Sequence, residues 1–101
     1  MSYNLFFKFN KKIDWVKLHE SISNNKVRYL EFVPVDADDD MEGDSLAVSI
    51  PSKNICDEMW PELVRIINLL FLTDGTRGYD LITGKEIHLS YLDILKRNLF
   101  V

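Results

Sequence analysis

The prediction of the fold starts from the stretch VRYLEFVPVDADDDMEGDSLAVSI, residues 27–50. Apolar and polar residues alternate over 27–35 and again over 46–50, on either side of an acidic segment. Alternation with a period of two is typical of strands, so the stretch predicts two strands joined by a long hairpin loop. Pro34 has no backbone N–H to donate, and we therefore expect its strand to lie at a sheet edge or at a bulge.

The sequence before this hairpin predicts one strand and one helix. Residues 3–9 alternate between two faces, with Tyr3, Leu5, Phe7 and Phe9 on one face and Asn4, Phe6 and Lys8 on the other. Residues 13–23 instead repeat apolar side chains every three or four positions, which predicts an amphipathic helix with Trp15, Leu18 and Ile22 on its buried side. Asn24 and Asn25 should end it, since asparagine tolerates the left-handed conformation of a helix terminus.

The sequence after the hairpin predicts a second helix, a strand and a short C-terminal addition. The helix covers 58–72, with Pro61 in its first turn, where the missing N–H costs little. Its buried stripe is Leu63, Ile66, Ile67 and Leu70. A strand over 77–82, a short strand over 85–89 and a final helix capped by Ser90 follow.

The order of these elements is β-α-β-β-α-β with a C-terminal strand and helix. It predicts an α+β protein with a ferredoxin-like antiparallel sheet and both main helices on one face. The 101 residues fit one domain, residues 1–101, and a hydrophobic fraction of 47% is enough to build its core.

Several classes of protein are disfavoured by composition. Cys56 is the single cysteine, so the chain has no internal disulfide. Its apolar runs are too short for a signal peptide or a membrane span, which leads us to expect a cytoplasmic protein without membrane contact. The residues around His19 and His88 lack the spacing of a zinc site, and no cofactor motif is present. We expect neither a metal nor a cofactor.

Charge is distributed very unevenly along the chain. Residues 1–28 hold six bases and two acids, whereas residues 29–52 hold seven acids and no base. Six of these acids crowd into the predicted loop, and we take them as candidate partner-binding residues: Asp36, Asp38, Asp39, Asp40, Glu42 and Asp44. Like charges this close repel each other, so something must offset them.

Three offsets are open: solvation of a charged hairpin tip without a role, a basic protein partner, or a bound cation. The cation is disfavoured by spacing. Asp38-x-Asp40-x-Glu42 imitates the opening of a calcium loop, but Ser49 stands where that loop needs its bidentate acid. Nucleic acid is disfavoured too, because the molecule carries a net charge of −4.

Two other classes of function also remain open. A small enzyme or ligand-binding domain would use a cleft beside the sheet, with Cys56, His19 or His88 as reactive groups. A structural or regulatory subunit would homodimerise through a sheet edge.

The segment Gly78-Tyr79-Asp80-Leu81-Ile82-Thr83-Gly84-Lys85 resembles a phrase near the end of small bacterial α/β proteins. These include immunity proteins of polymorphic and contact-dependent toxin systems. The resemblance implies a non-enzymatic inhibitor that binds one cognate toxin, often a basic nuclease. Together with the acidic loop, it makes an immunity-type protein the leading hypothesis.

Overall fold

The computed structural model describes residues 1–35 and 43–101. Within these ranges the chain forms five strands and three α-helices, an α+β architecture. In chain order they are β1 (Ser2–Lys8), α1 (Trp15–Asn24), β2 (Glu31–Val35), β3 (Ser45–Pro51), α2 (Met59–Phe71), β4 (Arg77–Asp80), β5 (Glu86–Ile87) and α3 (Leu92–Leu99). Short 3₁₀ turns precede α2 and α3, at Ser52–Asn54 and Leu89–Tyr91.

The strands form one sheet in the order β2-β3-β1-β4-β5, and all four pairings are antiparallel. The register aligns Leu5 with Val48 and Phe7 with Leu46, so the apolar positions of β1 and β3 share one face. Strand β2 is an edge strand, which confirms the position expected for Pro34.

The core lies between this face of the sheet and the helices. Leu5, Phe7 and Phe9 are buried, as the alternation predicts, and so is the predicted stripe of α2: Leu63, Ile66, Ile67 and Leu70. Pro61 lies in the first turn of α2, also as predicted. The same buried cluster includes Leu95 and Leu99 of α3. Among the described residues, no helix is both long enough and apolar enough to cross a membrane.

The second strand begins later than predicted. Alternation predicts a start at Val27, whereas β2 starts at Glu31. The preceding backbone is held by α2 instead, because the N–H groups of Arg28 and Tyr29 donate to the carboxylate of Glu62 at 2.6 and 2.9 Å. These two donors are thus used by a helix side chain, which keeps the segment out of the sheet.

The C-terminal elements also differ from the prediction. Strand β4 ends at Asp80, because its carboxylate accepts the N–H groups of Ile82 and Thr83, at 2.9 and 3.3 Å, and turns the chain away. Strand β5 is shorter than predicted, with two residues. Ser90 lies inside the second 3₁₀ turn, and in the described part of the chain α3 has no side-chain cap.

Helix α1 begins and ends with specific capping contacts. Asp14 is its N-cap, and the Asp14 Oδ1 atom accepts the N–H of Lys17 at 3.2 Å. At the other end the left-handed residue is Lys26, with φ 54°, and not one of the asparagines predicted to take that role. Asn25 has φ −87°, and its side-chain amide donates to the carbonyl of Ser21 at 2.8 Å.

Candidate functional site

The acidic connection between β2 and β3 is anchored at its C-terminal end. The Phe9 N–H donates to the carbonyl of Asp44 at 3.0 Å, and the Asp44 N–H donates to the carbonyl of Lys11 at 3.1 Å. Gly43 passes so close to this segment that a Cβ atom would overlap the Phe9 carbonyl oxygen and the Lys11 amide. Glycine is therefore required here by close backbone approach. At the other end, the connection leaves from β2.

Asp44 belongs to this anchor. Its side chain is buried, with 4% of its surface exposed, and its Oδ2 atom accepts the N–H of Ile13 at 2.7 Å. A carboxylate held by the fold in this way is not displayed to a partner, so we leave Asp44 out of the partner-binding set. The other five predicted residues, Asp36, Asp38, Asp39, Asp40 and Glu42, lie outside the described residues.

The anchor also brings basic residues to the end of the acidic connection. Lys11 contacts Asp44 through its backbone, and Lys11 and Lys12 are both exposed. The basic N-terminal part of the sequence therefore lies beside Asp44, at the described end of the acidic connection.

The Tyr-Asp and Thr-Gly phrase forms a buried polar network. Asp80 is fully buried, and its Oδ2 atom accepts the hydroxyls of Tyr3 at 2.5 Å and Tyr91 at 2.8 Å. The hydroxyls of Tyr91 and Thr83 lie 2.8 Å apart. Gly84 has φ 73° and donates its N–H to the Asp80 carbonyl at 2.7 Å. The phrase thus ties the β4–β5 turn to β1 and to the turn before α3.

Both tyrosines of this network titrate above their ordinary range. Burial, followed by the hydrogen bond to Asp80, raises the pKa of Tyr3. Burial also raises the pKa of Tyr91, with Thr83 acting in the opposite direction and Asp80 in the same one. Phenols held in the neutral form by a carboxylate are hydrogen-bond donors, which suits a structural role for the network.

The three residues suggested for catalysis do not come together. His19 lies on α1, beside β2, and His88 follows β5 at the opposite edge of the sheet. The His88 Nε2 atom lies 3.3 Å from Glu86, which also pairs with Arg77. Cys56 is near Tyr29. The pKa of Tyr29 is raised first by burial and then by the interaction of its hydroxyl with this thiol. Within residues 1–35 and 43–101, no His, Cys, Asp and Glu side chains are grouped as metal ligands.

A groove of about 680 Å³ lies between α1 and the β2 edge of the sheet. Its lining residues are Trp15, Leu18, His19, Ile22, Ser23, Lys26, Val27, Leu30, Phe32, Pro34 and Leu46. The sequence predicted the apolar stripe of α1 but not the groove, because periodicity identifies a buried side of a helix without telling how completely it is covered. The sequence did not predict the Asp80 network either, because its two tyrosines come from distant parts of the chain.

No protein family model matches the sequence, and no curated protein or solved structure is significantly similar to it.

Proposed function

We propose that the chain is a protein-binding inhibitor of the immunity type, which neutralises a basic toxin protein by direct binding. The observation that carries the proposal is the concentration of acid on one connection of the sheet. Residues 29–52 hold seven acids and no base, and five of these acids lie within 36–42. The proposed place of action is the bacterial cytoplasm, and catalysis by the chain itself is not required.

Electrostatics gives the connection its proposed role. A dense group of carboxylates produces a local negative potential, which attracts a positively charged protein and raises its association rate. Loops mounted on a stable sheet are frequent sites of recognition. Here β2 lies at one end of the acidic connection, and the Gly43–Asp44 anchor lies at the other. The proposed partner-binding residues are Asp36, Asp38, Asp39, Asp40 and Glu42.

We further propose that the fold is a ferredoxin-like arrangement of two split β-α-β units. The support is the order of the four longer strands, β2-β3-β1-β4, together with their antiparallel pairings and the alternation of strands and helices along the chain. Strand β5 then extends this sheet at the β4 edge.

A capture experiment with charge-matched variants tests the proposed function. One variant carries Asp38→Asn, Asp39→Asn and Asp40→Asn. Its control carries Glu20→Gln, Asp57→Asn and Asp74→Asn, three exposed acids elsewhere that change the net charge equally. We expect the wild-type chain and the control to retain a basic protein from the lysate of the encoding cell, and the loop variant to lose it.

The captured protein must then behave as a toxin. Purified, it should lose its activity, for example nuclease activity, when mixed with one equivalent of the wild-type chain. Retention of no basic protein, equal retention by both variants, or an unchanged activity in the mixture would each contradict the proposal.

A further inference from the structure

Another groove, of about 630 Å³, lies between the first turn of α2 and the exposed side of α3. All of its lining residues belong to the described part of the chain. It lies at the far end of α2 from the acidic connection, because the last residue of α2, Phe71, packs on Phe7, close to the strand end where Phe9 holds Asp44. The 13 residues of α2 separate the two places by about 18 Å.

The charges around this groove are balanced. Asp57 precedes α2. Asp93 lies in the first turn of α3, and Lys96 and Arg97 lie in its last turn. These four side chains are exposed, and within residues 1–35 and 43–101 none of them takes part in an ion pair. Two acids and two bases that are not paired with each other complement a partner surface with the same balance, and a second copy of this chain has that balance.

The order of the charges makes α3 complementary to itself. When two copies of a helix pack antiparallel about a twofold axis, the first turn of each lies against the last turn of the other. Asp93 of one copy then meets Arg97 of the other, and the twofold axis repeats this contact. The dipole of α3 favours the same order within a single chain, so association and stability have to be measured separately.

Aromatic side chains give the groove an apolar centre. Trp60 is half-buried, and Phe100, at the end of α3, is 38% exposed. Pro61 is exposed beside Trp60. The Lys96 Nζ atom lies 5.7 Å from the centre of the Trp60 ring, so a cation already covers part of the indole. Tryptophan, phenylalanine and arginine are enriched where protein interfaces bury most of their binding energy.

We propose that this groove and the exposed side of α3 form the interface of a homodimer, in which two α3 helices pack antiparallel about a twofold axis. Asp93 of each copy pairs with Arg97 of the other, and the aromatic residues lie beside these pairs. The homodimer considered from the sequence used a sheet edge, whereas this one uses a helix. Its interface lies apart from the acidic connection, so the inference stands independently of the proposed toxin binding.

Exchange of the charges at positions 93 and 97 tests the pairing. Asp93→Arg and Arg97→Asp each place like charges across the twofold axis, so each variant alone should self-associate at least about 10-fold more weakly than the wild type. An equimolar mixture of the two should recover association to within about 3-fold, because unlike charges meet again in the mixed dimer. A small interface is weak, so sedimentation equilibrium should cover about 10 μM to 1 mM protein.

The double variant Asp93→Arg, Arg97→Asp separates association from helix stability. It keeps the net charge and restores unlike charges across the axis, so it should self-associate within about 3-fold of the wild type. Its melting temperature should fall nevertheless, because the exchanged charges oppose the dipole of α3.

The matched controls are Glu20→Arg and Lys17→Asp, at exposed positions of α1 outside the groove. They change the net charge of the chain by the same amounts as the single variants. Each should self-associate within about 2-fold of the wild type, and mixing them should give no gain.

Three results would overturn the inference. They are a wild-type chain that stays monomeric throughout the concentration range, single variants that associate as well as the wild type, and a mixture that associates no better than its components. The first of these would leave the groove to a partner of another kind. None of the variants changes residues 36–42, so this inference and the proposed toxin binding can fail separately.

Discussion

At the scale of single residues, Asp80 shows what a local phrase can and cannot reveal. Thr83 and Gly84 predict a turn, and the turn is present. The hydrogen-bond partners of the buried Asp80 carboxylate were not predictable, because Tyr3 and Tyr91 lie 77 and 11 positions away in the sequence. Two hydroxyls and two backbone N–H groups donate to this one buried carboxylate. The buried network around Asp80 therefore gives a structural reason for the segment 78–85, which the sequence analysis connected with a function.

The network predicts a specific loss of stability at high pH. Since the pKa of Tyr3 is raised in the folded protein, its contribution is fully present below its ordinary pKa of 10.0. It is lost as the pH rises above that value, because the unfolded chain releases the proton first. Tyr3→Phe should lower the free energy of unfolding by about 1 kcal/mol at neutral pH. Denaturant unfolding between neutral pH and pH 11 should show a smaller alkaline loss in the variant, and an equal loss would contradict this account.

Gly43 gives the second prediction at this scale. A methyl group at this position would overlap the Phe9 carbonyl oxygen, so Gly43→Ala should destabilise the fold by about 1–3 kcal/mol. Gly84→Ala provides a comparison, because a Cβ atom there meets open space and only the positive φ opposes it. Thermal unfolding should show the larger loss for Gly43→Ala. The opposite order would remove the proposed anchor of the acidic connection.

At the scale of elements, prediction succeeded where a pattern reports burial and failed where distant contacts decide. Strand β1 and helix α2 agree with their apolar periodicity, because their buried sides belong to the same hydrophobic cluster. The start of β2 did not agree, because Glu62, more than 30 positions away, takes up the N–H groups of Arg28 and Tyr29. The alternation of side chains along a strand does not show whether its backbone N–H groups donate to a side chain of another element.

Glu62 supplies the prediction at this scale. It is 3% exposed, and its two oxygens hold the segment that connects α1 to β2. Glu62→Gln keeps the size of the side chain but replaces one acceptor by a donor, so one N–H is left unpaired. We expect a loss of about 1–3 kcal/mol in the free energy of unfolding.

The matched control for this prediction is Glu58→Gln, an exposed position just before the same helix. Such a surface change should cost less than about 0.5 kcal/mol. Amide hydrogen exchange should also show faster exchange at Arg28 and Tyr29 in the Glu62 variant. Protection equal to that of the wild type would show that the segment is held by something else.

At the scale of the whole molecule, charge asymmetry is the feature on which the functional account depends. The sequence predicted it completely, since it needs only counting. What the sequence could not predict is that the basic residues Lys11 and Lys12 lie next to the end of the acidic connection. Positive charge from these lysines reduces the negative potential of the acidic segment, and only the remaining potential is available to attract a partner.

Association kinetics at varied ionic strength tests this balance most directly. The measurement is the association rate constant of the captured basic protein, by stopped flow, with the wild-type chain and with the Asp38→Asn, Asp39→Asn, Asp40→Asn variant. We predict that the wild-type rate falls as salt is added, and that the variant rate is at least about 10-fold slower at low salt and depends less on salt. Equal rates and equal salt dependence for the two chains would contradict it.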